Sequence, residues 1–233
     1  MKSITFAAIQ QAISVKRLDA YRQLPNDDNI EIVARYIWNI HMCEALYPSL
    51  QCLEVSLRNS LYDAITNVVG NANWLSSRST LLDRTEIDTI AKAEAKLRQA
   101  RKPLIPDRII AELSFGFWTS LLSSKYEQSV WNRIAKSAFP KCPRSMRRRR
   151  TIAPRLHEIR HLRNRVFHYE PIWRQSNLCG QHIQIMEIIE WISPEMKEIA
   201  GASCRFNDVC LQKTFDAIKN DLAVRHQDPT LFN

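Results

Sequence analysis

Apolar residues recur every three to four positions along most of the chain, the period of helices with one buried face, and no stretch reads as a convincing strand. Phe6, Ile9 and Ile13 predict a first helix from Ser3, its expected cap, to about residue 22. The turn Pro25-Asn26-Asp27-Asp28-Asn29 then offers caps for a second helix marked by Ile30, Val33, Ile37 and Ile40. Pro48 is expected to bend or restart it, and Leu50, Leu53, Leu57, Leu61 and Ile65 form the stripe of a third, ending near Gly70. A polar helix over about 84 to 101 has a narrow apolar side of Ile87, Ile90 and Leu97. The segment from Ile109 to Leu122, with Phe115, Phe117 and Trp118, is the most apolar of the chain and predicts central core. Further helices are expected over roughly 125 to 138, 151 to 169, 181 to 192 and 207 to 224, the third of these closed by Ser193-Pro194, with a frayed tail from His226.

These elements amount to one all-α domain over residues 1–233. Only four glycines are present, too few for many tight turns or a Gly-rich phosphate loop, which supports the same class. The six cysteines form no C-x-x-C pair, so they read as reduced thiols, mostly buried, rather than a zinc knuckle or disulfide framework. No stretch reaches membrane-spanning length and the N-terminus turns polar too soon for a signal peptide, so the expected location is cytoplasmic, with no membrane partner. A net charge of +9 suits a polyanionic partner. Six cations crowd between Lys141 and Arg150, namely Lys141, Arg144, Arg147, Arg148, Arg149 and Arg150. With Arg155 they make the candidate RNA-binding surface.

This run leads into the stretch that carries chemistry, Arg163-Asn164-Arg165-Val166-Phe167-His168-Tyr169-Glu170. Ile152, Leu156, Ile159 and Val166 define the buried side of its helix, and Arg163 falls in that stripe, where a guanidinium needs a partner. Asn164 and His168 belong to a second, polar stripe, roughly 140° from Arg163 at 100° per residue. A bend, a long arginine reach or the pairing of two protomers would bring them together. Such residues suit cleavage of RNA without metal or other cofactor. His168 would take the proton of a ribose 2′-OH or supply one to the leaving 5′-oxygen, Arg163 would hold the phosphate and its developing charge, and Asn164 would orient either. Upstream, Glu54 and Arg58 share a helix face, and Leu57-Arg58-Asn59 echoes Leu162-Arg163-Asn164. The helix of Arg163 and His168 also contains His157-Glu158-Ile159-Arg160-His161, a match to the zinc-peptidase pattern H-E-x-x-H that sets a cation, Arg160, between the would-be ligands.

At these residues the chain resembles the Abi-like (abortive infection, AbiD/AbiF type) proteins of bacteria, within the HEPN superfamily. Their hallmark is R-x(4–6)-H with a polar residue after the arginine, as in Arg163-Asn164-Arg165-Val166-Phe167-His168. Three other stretches look similar to that family: Leu53-Glu54-Val55-Ser56-Leu57-Arg58-Asn59, Glu112-Leu113-Ser114-Phe115-Gly116-Phe117-Trp118, and Trp191-Ile192-Ser193-Pro194-Glu195. The resemblance implies a HEPN-like helical bundle with additional N-terminal and C-terminal helices. It further implies a homodimer whose two motifs face each other, and metal-independent endoribonuclease activity in phage defence or a toxin–antitoxin pair. Arg163, Asn164 and His168 would be catalytic, with Glu54, Arg58 and Glu170 in support, and Tyr169 stands where members often carry a second histidine. Restraint of such a nuclease would come from an antitoxin protein or a bound noncoding RNA. The competing readings are an RNA- or nucleotide-binding module without turnover and, through His157, Glu158 and His161, a zinc peptidase.

Overall fold

A computed structural model describes residues 5–76 and 78–225. The expected cap at Ser3 and the tail from His226 lie outside the described residues. Those residues form twelve α-helices joined by short 3₁₀ and π turns, with no strand among them. They divide into two compact units.

The first unit comprises the chain up to Pro48, Leu162–His182 and the part from Ser203 onwards. Helix α1 (Phe6–Ile13) is capped by the Thr5 hydroxyl, which accepts the Ala8 N–H at 3.3 Å. The single first helix expected from the spacing is interrupted at Ser14, whose φ of 84° no helix accommodates, and α2 (Val15–Asp19) restarts there with Arg17 N–H on the Ser14 hydroxyl. Phe6, Leu18, Tyr21, Ile32 and Val33 form the local core. Asp28 caps the next helix, α3 (Asn29–Val69), by accepting the Glu31 N–H at 2.7 Å. Arg35 of α3 is buried and meets the Asp27 carboxylate at 2.6 Å. Its guanidinium also lies 5.4 Å from the Trp173 ring and 5.6 Å from that of Phe215. The Asn39 carboxamide oxygen, one turn on, accepts the N–H groups of Ile172 and Trp173 and so ties down the segment that follows the motif.

The helix runs through Pro48 without restarting, so the second and third expected helices are one. A proline inside a helix forfeits one backbone bond and costs on the order of 3 kcal/mol. Apolar residues on both sides absorb it, since Leu46 and Leu50 are both buried. The division between the units falls after this proline.

The second unit, Ser49–His161 with Ile183–Ala202, buries the expected stripe Leu50, Leu53, Leu57, Leu61 and Ile65. Helix α4 (Arg84–Gln99) buries Ile90 and Leu97 as its pattern suggests, but also Glu86 and Glu94. Burial works against the charge of Glu86, yet hydrogen bonds from Lys125, Tyr126 and Ser120 outweigh it and hold the carboxyl below its ordinary range. The apolar segment becomes α5 (Pro106–Glu112) and α6 (Phe115–Ser120), the latter capped by Ser114, and Trp118, Leu121 and Leu122 are fully buried. Helix α7 (Asn132–Ala138) precedes the basic run, and α8 (Arg149–Phe167) carries the motif, burying Ile152, Leu156 and Ile159. Helix α9 (Leu178–Ile192) buries Ile185, Ile188 and Ile189.

Ser193-Pro194 closes α9 as expected and also opens a helix that the pattern did not announce, α10 (Pro194–Ser203), with Ser193 accepting the Met196 N–H. Ile199 of α10 is 55% exposed and Ala200 is its buried residue, so its apolar periodicity is too weak to read. The last expected helix is two, α11 (Phe206–Val209) and α12 (Gln212–Arg225).

Candidate functional site

The motif occupies the last turn of α8, within the first unit. The His168 N–H still donates to the Asn164 carbonyl at 2.9 Å, so the backbone between them stays helical. Both of these side chains are exposed, as the polar stripe requires. Arg163 is half-buried, and its guanidinium lies 4.2 Å from the centroid of the Phe167 ring. That aromatic face, one turn away, is one partner of the cation whose position demanded one.

The helix then ends in a Schellman turn: Tyr169 N–H donates to Val166 and Glu170 N–H to Arg165, at 3.2 and 2.8 Å. The left-handed position of such a turn favours glycine, but here Tyr169 fills it with φ of 58°. Glu170, expected to support the motif, pairs with Arg165 at 3.6 Å and so fastens this turn. Tyr169 is 73% exposed, and its carbonyl accepts a hydrogen bond from the Arg17 guanidinium.

Beside the motif lies a cavity of about 1080 Å³ whose lining includes Arg17, Tyr47, Phe167, Tyr169 and Arg205. The Tyr47 and Phe167 rings pack 5.6 Å apart with planes 35° apart. Two further lining groups stay neutral: burial pushes the Cys43 thiol up to about 11, and burial is the chief cause that takes the Tyr21 phenol to about 12. The charge of the cavity wall therefore resides in Arg17, Arg205 and Glu44, the last two of which pair with each other. Apart from Phe167 and Tyr169 in the motif stretch, these lining residues were not singled out from the sequence, because they come from segments scattered along the chain. The aromatic residues flanking His168 were the one local signal.

The remaining candidates belong to the second unit. Glu54 and Arg58 are half-buried in α3, and the Arg58 Nε is buried without a hydrogen-bond partner. In the basic run Lys141, Arg144, Arg148 and Arg150 are exposed, while Arg147 is half-buried. Arg149 is held by Glu127 at 3.0 Å, and Arg155 by Glu187 at 2.9 Å with its guanidinium 5.3 Å from the Trp191 ring. Those two cations already have acidic partners.

His157 and His161 do share a face, with their Nε2 atoms 3.0 Å apart, while the other nitrogen of His157 faces Arg160 at 3.2 Å. Burial, then His161 and then Arg160 push the His157 pKa below its ordinary value. Among the described residues no group of three or more His, Cys, Asp or Glu side chains could hold a metal ion, so this pair lacks a third ligand there.

All six cysteines are free, but the expectation that most are buried fails: Cys142 is buried, Cys179 is exposed and the others are intermediate. Cys204 Sγ lies 3.1 Å from the buried His182 ring, and Cys179 Sγ lies 3.6 Å from Cys210 Sγ. No helix of the described residues is long and apolar enough to cross a membrane. Compared with protein-family models, curated proteins and solved structures, the chain matches none.

Proposed function

We propose that the chain is a metal-independent endoribonuclease of the HEPN, Abi-like kind, acting as a restrained effector in phage defence or a toxin–antitoxin pair. The observation that carries this reading is the end of α8, where the exposed His168 imidazole and Asn164 carboxamide share one face and the Arg163 guanidinium is steadied on Phe167. Neutral His168 would remove the 2′-OH proton as the 2′-oxygen attacks phosphorus. The P–O5′ bond breaks, the leaving oxygen takes a proton from a protonated imidazole, and the products are a 2′,3′-cyclic phosphate and a 5′-hydroxyl. Arg163 would carry the charge that builds on the phosphoryl oxygens. Two motifs pooled in a homodimer would supply the acid and the base from separate protomers.

The exposed cations Lys141, Arg144, Arg148 and Arg150 support an RNA partner, as substrate or as a restraining noncoding RNA, with an antitoxin protein as the other form of restraint. The alternative, an RNA- or nucleotide-binding module without turnover, uses the same residues and parts from the nuclease at His168. The test is incubation of the purified protein with single-stranded and structured RNA in excess EDTA, followed by analysis of product ends. Cyclic phosphate and 5′-hydroxyl ends are expected, and RNA left intact by folded protein freed of any co-purifying partner, or cleavage that chelation abolishes, contradicts the reading.

A further inference from the structure

We infer that the cavity beside the end of α8 is a base-binding subsite, which stacks one unpaired nucleobase of the RNA next to the phosphodiester that His168 addresses. This deepens the nuclease reading and rests on it for the identity of the ligand.

The cavity, at about 1080 Å³, lies just above the range of roughly 300–1,000 Å³ in which small ligands are enclosed, so a nucleotide fits with room for part of its neighbour. Its walls have the mixture that unpaired bases select, aromatic side chains together with cations. Tyr47 is 49% exposed and Tyr169 73% exposed, and both stand at the cavity with Phe167. Large aromatic surfaces left in water are the part of a stacking platform that a base would cover. Arg17 and Arg205 against Glu44 leave the wall with one more cation than anion, which favours an anionic ligand such as a nucleotide phosphate over a cationic or purely apolar one. The Glu44 carboxylate is also the kind of acceptor that an exocyclic amino group of adenine, cytosine or guanine would find.

The chain order supplies the link to chemistry. His168 does not itself line the cavity, but its chain neighbours Phe167 and Tyr169 both do, so a base seated there lies one residue along the chain from the imidazole. Tyr169 is held in a left-handed conformation that costs an ordinary residue on the order of 1 kcal/mol, although glycine would fill the turn without that cost. A tyrosine kept there at the expense of stability is one whose ring has a use, and the Arg17 hydrogen bond to its carbonyl anchors the backbone from which the ring projects.

The test uses homopolymeric 2′-O-methyl hexanucleotides, which lack the attacking hydroxyl and report binding apart from cleavage, at one fixed salt concentration. Wild type is compared with Tyr169→Gly, Tyr169→Phe and Tyr47→Ala. Losing one stacked base is worth a factor of roughly 5 to 100 in affinity, so Tyr169→Gly and Tyr47→Ala are expected to bind that much more weakly and with a flattened base preference. Tyr169→Phe should restore wild-type binding. Thermal melting of Tyr169→Gly guards against misfolding, since the glycine relieves the turn. Equal affinity and equal preference in wild type and Tyr169→Gly overturn the subsite, as does failure of wild type to bind any of the oligonucleotides. The nuclease reading is scored separately on unmodified RNA in EDTA. Cleavage without dependence on Tyr169 sinks the subsite alone, and Tyr169-dependent binding without cleavage sinks the nuclease alone.

Discussion

The Arg163 guanidinium rests 4.2 Å from the centre of the Phe167 ring, one helical turn away. A planar cation is suited to that face, and the contact limits the directions in which its remaining N–H donors point. A lysine ammonium in its place keeps the charge but neither the stack nor the fork of donors. Arg163→Lys is therefore expected to cleave RNA at least about 10-fold more slowly than wild type in single-turnover assays, given that one lost transition-state donor typically costs on the order of 100-fold. An unchanged rate would show that Arg163 acts only through its net charge.

The turn that closes α8 makes a prediction about stability. Tyr169 takes the left-handed position with φ of 58°, where glycine has no steric penalty. Tyr169→Gly should stabilise the protein by up to about 0.5 kcal/mol in urea unfolding, the part of roughly 1 kcal/mol of relieved strain left after the extra chain entropy that glycine loses. Destabilisation would mean that the tyrosine ring makes folded-state contacts worth more than its strain.

Much of the helical framework was legible because its signals are local. The stripe Leu50 to Ile65 and the stripe Ile152, Leu156 and Ile159 are buried as their spacing requires. The motif, too, is a run of neighbours on one helix end. What escaped were features decided by tertiary packing or backbone geometry. Helix α3 continues through Pro48 because apolar burial around it outweighs one missing bond. Helix α10 hides because its Ile199 faces out, and Glu86 is buried only because Lys125, Tyr126 and Ser120 meet it. The cavity was invisible for a related reason: Arg17, Tyr47 and Arg205 sit far apart in the chain and carry no common spacing.

Acid stability should register the Asp27–Arg35 pair. Burial would raise the Asp27 carboxyl, but backbone N–H groups of Leu24 and Gln23 and the Arg35 guanidinium together bring it to about 2. A carboxyl depressed in the folded state lends stability that is present above its unfolded pKa, near 3.9, and is lost as pH falls through the folded value. Stability is thus expected to drop between about pH 4 and pH 2, and Asp27→Asn should flatten that part of the profile. An unaltered acid limb in the variant would rule out this pair as its source. Asp27→Ala, which leaves the buried guanidinium with the longer Glu31 contact at 3.7 Å and the Tyr21 carbonyl, should cost less than the roughly 3–5 kcal/mol of a fully unpaired buried charge at neutral pH.

The basic run offers a prediction on salt. Arg148 and Arg150 are exposed, whereas Arg149 is engaged by Glu127. If the exposed pair neutralises phosphates, the double variant Arg148→Ala, Arg150→Ala should lower the slope of log affinity against log salt by about 1.4 for single-stranded RNA, at roughly 0.7 per phosphate. Base preference should stay as in wild type, since phosphate contacts carry no base information. A slope that does not move would exclude these arginines from the contact.

The most direct measurement is RNA cleavage in excess EDTA by wild type, Arg163→Ala and His168→Ala, each checked for folding. The expected result is wild-type product ending in 2′,3′-cyclic phosphate and 5′-hydroxyl, with both variants slowed by at least about 100-fold. Full activity in His168→Ala, or RNA left intact by folded wild type freed of any co-purifying partner, would contradict the assignment of catalysis to the end of α8.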